Sequence, residues 1–354
     1  MMTETNSTDV PNAGDLELQV DGRAPQTTRC APRTADPQEA ARSTTRLVTD
    51  GGREPPVVVK IGGAKAVDPA GAVGDIADLV SDGRDVIVVH GGSTAVDETL
   101  ERMGIEPTYV ETPGGVTGRF TDEETIEVFE MVMAGKLNIE LTTLFRNAGV
   151  DALGLSGVDG GLLTGPRKSA VRVLEDGKKK IKRGDHSGKI TGVNTDLLDS
   201  LLDDGYTPVV SVPMLGENTD GSVTPVNADA DRSAAAIAGA VGGELVLLTD
   251  VTGIYADPAD SETLIASAAT PEELQAVKNA AEGFMIKKVM AAIEALEGGS
   301  PAVYVGDANS EQPVTTVLGG TGTTIQRSAV DEEQSAAGDT ESAAAETEPT
   351  EADQ

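Results

Sequence analysis

An apolar run that ends in a lysine and two glycines, Val57-Val-Val-Lys60-Ile-Gly62-Gly63, constrains the fold of this chain more than any other stretch. Its β-prone residues, bounded by Pro56 and Gly62, fit a strand covered on both faces, as a central strand of a parallel sheet is. Lys60 then stands at the carboxyl end of that strand. Ligands bind at this edge of an open α/β sheet, and bare amides at a Gly-Gly turn beside a cation suit a phosphate. Lys60 taken alone also fits a lysine that snorkels from a strand end, so the rest of the chain has to decide.

Strand and helix signals alternate downstream. A helix is expected from Ala70 to Leu79 and a second buried strand over Asp85 to His90. His90-Gly91-Gly92-Ser93 then turns into a helix with apolar positions at Val96, Leu100 and Met103, so its amides can face an anion. Thr121 with Glu124 reads as a capping box for a long helix reaching Phe145. Arg119, just ahead, fits either a surface arginine or a clamp on a carboxylate. A strand over Ala152 to Leu155 and a glycine-rich loop from Ser156 to Gly161 follow. Lys178, Lys179, Lys180, Lys182 and Arg183 then cluster in a segment that reads as a β-hairpin.

The second half repeats the alternation. A helix from Thr195 to Leu202 leads to a strand over Thr207 to Val212, and Asn227-Ala-Asp229-Ala-Asp231-Arg232 opens a helix that ends near Gly242. Asp229 and Asp231 fit helix caps, or carboxylates that aim neighbouring cations. The strand Glu244 to Asp250 runs into a turn through Gly253 and Tyr255, a natural nucleotide site at the carboxyl edge. A helix after Pro271 precedes one over Gly283 to Leu296 that carries Lys287 and Lys288 in its first turn, where cations oppose the helix dipole. Strands at Ala302 to Val305 and Gly322 to Ile325 close the folded part. Residues 1–52 lack apolar periodicity and residues 327–354 run into acidic low complexity, so both are expected to be disordered.

Composition narrows the function. With 59 acidic and 27 basic residues among 354, the net charge is -32, which argues against nucleic acid as a partner. That balance, without tryptophan, suits a protein that works in concentrated salt. Against it, the basic hairpin reads as a docking surface for an acidic partner. One cysteine, Cys30, allows no disulfide within the chain and no thiolate cluster. No run reaches the length needed to span a bilayer, and a soluble cytoplasmic protein is the expectation. A Walker-type phosphate loop and a Gly-x-Gly-x-x-Gly dinucleotide turn are both missing.

Taken in order, VVVKIGG, HGGS, GRFT, NADAD, LLTDVTGIY and MIKKV resemble the motif set of the amino-acid kinase family, over about residues 55–326. The resemblance implies an α/β fold, a three-layer αβα sandwich on a mostly parallel central sheet. It places an amino-acid and carrier-binding half at 53–205 and an ATP-binding half at 206–326. By the same resemblance, Lys60 and Lys288 would stabilise a transferring phosphoryl group and Asp231 would orient both. Gly91, Gly92 and Ser93 would bind the amino-acid substrate through the turn, with Arg119 and Asn227 on its carboxylate. Gly62, Gly63, Asp250, Gly253, Tyr255 and Lys288 would bind ATP, with Mg²⁺ carried mainly by its phosphates and water.

The Asp-x-Asp-Arg form at Asp229 to Arg232, the segment Arg119 to Asp122 and the basic hairpin are similar to the family branch that acts on amino acids attached to the small acidic carrier protein LysW. That resemblance implies docking of the carrier on Lys178, Lys179, Lys180, Lys182 and Arg183. It also implies a homodimer. The alternative within the family is an acetylglutamate kinase acting on the free acid; a non-catalytic sensor would be expected to lack Lys60, Asp231 or Lys288.

Overall fold

Strand β1 (Val57–Ile61) is buried along its whole length, and its alternation divides the core. Val57, Val59 and Ile61 face one apolar cluster and Val58 faces another, because successive side chains of a strand point to opposite sides. The computed structural model describes residues 54–62, 69–113, 115, 117–175 and 177–331. Gly63, Asp176, the expected leader and most of the expected acidic tail lie outside them.

The N-terminal half continues through α1 (Pro69–Ser81), β2 (Val86–His90), α2 (Ser93–Arg102) and a small antiparallel hairpin, β3 (Tyr109–Glu111) and β4 (Thr117–Arg119). Helix α3 (Glu123–Phe129) passes through a π-helical stretch, Glu130–Leu137, into α4 (Asn138–Asn147). Then come β5 (Ala152–Gly157), the long hairpin β6 (Leu163–Glu175) and β7 (Lys178–Gly188), β8 (Gly192–Val193) and α5 (Thr195–Asp203). The C-terminal half holds β9 (Thr207–Glu217), β10 (Val223–Val226), α6 (Ala230–Val241), β11 (Glu244–Thr249) and β12 (Ser267–Ala268). Helices α7 (Pro271–Ala280) and α8 (Phe284–Gly298), β13 (Ala302–Asp307), α9 (Pro313–Leu318) and β14 (Thr323–Gln326) complete it.

One sheet joins the halves in the order β12-β14-β13-β11-β1-β2-β9-β6-β7, with β5, β8 and β10 paired alongside. Strand β1 runs parallel to both β11 and β2, so it is the central strand that its apolar run implied. Strand β9, which follows position 205/206, pairs with β2, β5 and β6, which precede it, so one sheet takes up the segments on both sides of that position. One sheet face buries residues of α6 and α8, the other residues of α1, α4 and α9. This is a three-layer αβα sandwich on a mostly parallel sheet.

Three details depart from the sequence reading. The long helix is capped by Asp122, which accepts from Thr125 N at 3.0 Å; Thr121 is instead fully buried and does not cap. A carboxylate one residue on outbid the hydroxyl as acceptor for the first turn. Folded structure also extends past residue 326, since Ala329 and Val330 pack into the α6/α8 cluster. Finally, α9 receives its cap from a distant residue: Asp75 of α1 accepts from Val314 N at 2.6 Å and Thr315 N at 2.9 Å.

Candidate active site

Parity on β1 decides where Lys60 points. It shares a face with Val58, the face covered by α6 and α8, and is only 7% exposed. The N-terminal end of each of these helices supplies one partner. Asp231 of α6 meets the Lys60 ammonium at 2.7 Å, and Lys288 of α8 approaches the same carboxylate at 3.3 Å to one oxygen and 3.4 Å to the other. The two aspartates opening α6 divide their work: the Asp229 carboxylate caps the helix by accepting from Asp231 N and Arg232 N, which leaves Asp231 to the lysines.

Two ammoniums around one carboxylate leave a net charge of +1 in a mostly dry place. That arrangement is a poor source of stability, because desolvation costs fall on all three groups. It is instead a preorganised receptor for an anion. Burial, together with the Lys60 charge, pushes the Lys288 ammonium below the usual lysine range against the pull of Asp231. Burial alone would raise the Asp231 carboxyl, but Lys60 and Lys288 outweigh it and hold the group below the ordinary aspartate range.

The loops that follow β1, β2 and β11 leave the sheet at one edge, because these strands run parallel in register around Lys60. Gly91 N donates to Ile61 O at 3.1 Å, which sets the His90-Gly91-Gly92-Ser93 turn beside Gly62. Gly92 is closely packed: a Cβ there would lie 2.2 Å from Leu137 Cδ1 and 2.6 Å from Met133 Sδ, so these side chains would have to move. Among the described residues no side chain caps α2, and its first amides stand at this edge. His90 is buried beneath the turn, with Nδ1 3.1 Å from Gly91 O and Nε2 3.3 Å from Asn138 Nδ2. Burial pushes its imidazole down to about 4, with the Lys60 charge acting in the same direction, so at neutral pH the ring is uncharged. Asp250, Gly253 and Tyr255 follow β11 on the same edge; Gly253 packs against Thr323, where a Cβ would meet Oγ1 at 2.7 Å.

Arg119 and Asn227 both already have protein partners. The Arg119 guanidinium binds the Asp97 carboxylate, donates to Tyr109 Oη at 2.8 Å and to Ser93 O at 3.3 Å, and stacks 4.9 Å from the Tyr109 ring. Asn227 Nδ2 donates to Thr121 Oγ1 at 3.0 Å. A guanidinium has five N–H donors, and those engaged here tie Arg119 to Asp97, Tyr109 and the Ser93 turn, with the side chain only 5% exposed. Lys287 Nζ donates to Thr117 O at 3.0 Å, which ties the first turn of α8 to the strand that carries Arg119.

Asp97, Tyr109 and buried Asp185, which accepts from Thr121 N at 3.3 Å, escaped the sequence reading. Only Asp97 left a trace, falling one helical turn after Ser93 on α2. The basic hairpin lies at the far edge of the sheet, with Lys180 paired to Glu175 at 2.7 Å and Lys182 4.0 Å above the Phe120 ring. Among the described residues no group of three histidine, cysteine or carboxylate side chains could hold a metal ion, and no helix is long and apolar enough to cross a membrane.

Comparison with known proteins bears on this arrangement. Residues 55–307 match the model of the amino acid kinase family. The LysW-aminoadipate kinase of Thermus thermophilus is 39% identical over 276 residues, 76% of this chain and 100% of that protein. The acetylglutamate kinase of Methanopyrus kandleri is 42% identical over 272 residues, 76% of this chain and 99% of that protein. Among solved structures, the N-acetylglutamate synthase of Neisseria gonorrhoeae complexed with coenzyme A and N-acetyl-glutamate has a TM-score of 0.60 at 23% identity. That likeness covers 77% of this chain and 59% of the synthase, so the chain spans under two thirds of that protein's length, and it concerns the fold.

Proposed function

The chain belongs to the amino acid kinase family, and on that premise we propose that it transfers the γ-phosphoryl group of ATP to the side-chain carboxylate of glutamate or 2-aminoadipate carried by LysW. The product is an acyl phosphate on the way to arginine or lysine. The observation that carries the phosphotransfer reading is the Lys60–Asp231–Lys288 cluster at the carboxyl edge of the sheet.

An ionised carboxylate is already a nucleophile, so catalysis consists of positioning and charge stabilisation during in-line transfer. Lys60 reaches the transferring group from β1 and Lys288 the leaving β-phosphate side from α8, each aimed by Asp231. Ser93 and the glycines before it receive the amino-acid end, with Arg119 and Asn227 on its carboxylate. Gly62, Gly63, Asp250, Gly253 and Tyr255 line the nucleotide side. Mg²⁺ would arrive on the ATP phosphates, held mainly by them and by water. The β6–β7 hairpin meets the carrier. The reading includes work in a salty cytoplasm as a homodimer, for which exposed Met131 and Ile139 on the long helix offer apolar surface.

The similarity to an acetylglutamate kinase supports a second reading, the same chemistry on free N-acetylglutamate. Trapping the acyl phosphate with hydroxylamine, in molar KCl with Mg-ATP, separates the two. Carrier-linked glutamate and carrier-linked 2-aminoadipate should both yield hydroxamate, since a hydrophobic pocket separates a one-methylene difference by only about 1 to 3 kcal/mol. Product from free N-acetylglutamate alone would overturn the carrier reading.

A further inference from the structure

The register of the β6–β7 hairpin sorts its cations onto two faces. Val171 lies opposite Lys182, Arg172 opposite Ile181, Val173 opposite Lys180, and Leu174 opposite Lys179. Residues two apart share a face. Val171, Val173, Lys180 and Lys182 therefore form one face, and Arg172, Lys179, Ile181 and Arg183 belong to the other.

The first face is turned to the body of the protein. Val173 is buried and Lys182 lies over Phe120, while Lys180, itself exposed, is paired within the hairpin to Glu175. The second face is turned away: Arg172, Lys179 and Arg183 are exposed, and Ile181 among them is 65% exposed. Among the described residues none of these three cations has an ion pair, in a chain where 59 acids outnumber 27 bases. Among the described residues no carboxylate engages them, and an isoleucine left in water gains nothing for stability. An apolar centre within a charged, solvent-exposed rim is the anatomy of a protein interface.

We propose that Arg172, Lys179 and Arg183 around Ile181 form the docking surface for an acidic carrier protein, which meets it with carboxylates flanking an apolar side chain. The inference rests on the carrier-linked reading and narrows it, because Lys182 is engaged by Phe120 and Lys180 already has a carboxylate partner in Glu175 of its own hairpin. Contact ion pairs and an apolar anchor also suit a salty medium: the Debye length falls to about 3 Å at 1 M salt, which removes long-range steering but not close contacts.

The test is steady-state kinetics in molar KCl with the glutamate-charged carrier as the varied substrate. It compares wild type with Ile181→Ser and with a triple variant, Arg172→Gln, Lys179→Gln and Arg183→Gln. The KM for the charged carrier should rise roughly tenfold in the triple variant and about fivefold in Ile181→Ser, which alters no charge. The KM for ATP and the thermal midpoint should stay at wild-type values in both. If both variants keep the wild-type KM for the charged carrier, the surface is wrong while the functional reading stands. A wild-type chain that phosphorylates only free acids overturns both.

Discussion

At the scale of single residues, Asp231 has the most to do, since one carboxylate holds two ammoniums that would otherwise repel at close quarters. Its charge opposes the burial that pushes Lys288 down. Asp231→Asn removes that opposition, so Lys288 loses its proton at lower pH and the alkaline limb of kcat/KM moves to lower pH. The two lysines also lose their aim, and kcat should fall about a hundredfold or more, the scale of losing a preorganised charge contact. A pH–rate profile of the variant checks both effects; wild-type kcat with an unmoved alkaline limb would remove Asp231 from the mechanism. Lys60, the pair Asp229 and Asp231, and the pair Lys287 and Lys288 were legible in the sequence because each sits beside a local signal, a strand end, a helix start and a helix first turn, while the choice within each pair came only from the family resemblance. Asp97 and Tyr109 were not, since what binds them to Arg119 is a meeting of β3, β4 and α2 that no local pattern announces.

At the scale of elements, the turn after β2 and the π-helical stretch form one device. In a π-helix residues four apart stay on one face, and Met133 and Leu137 press together on Gly92. Gly92→Ala would push the turn away from these side chains or displace the helix. The expected outcome is a KM for the carrier-linked substrate raised about tenfold or more, a misplacement effect, with the KM for ATP little changed because its loops follow other strands. Steady-state kinetics with each substrate varied in turn checks this, and an equal rise in both KM values would count against a local effect. The glycine pair was readable as a turn, but its physical reason was not: φ at Gly92 is 174°, outside the left-handed region, and what opposes a side chain there is the close approach of Leu137 and Met133. The cap of α9 is a similar case, because Asp75 lies far away in sequence from the amides it accepts.

At the scale of the whole molecule, a net charge of -32 repels itself in dilute salt. Salt screens such repulsion over a Debye length of about 10 Å at 0.1 M and about 3 Å at 1 M. The thermal midpoint should therefore rise as KCl is raised from about 0.1 M toward 1 M and above, which a melting series measures. A midpoint independent of salt would remove the high-salt reading of the composition. The Lys60–Asp231–Lys288 cluster should be affected less, because buried pairs are screened less than surface charges.

The sequence by itself determined the alternation of buried strands and helices, the central place of β1 and the identity of the charged groups at its edge. These follow from local periodicity and from glycines that interrupt it. Only the tertiary structure decided which way those groups face. A side chain's direction depends on strand parity, on the register of paired strands and on which helix covers the sheet, all of them long-range. That is how Asp229 came to cap α6 while Asp231 aims two lysines, and how a single basic run on β7 was divided between a face that holds the fold and a face left open to water.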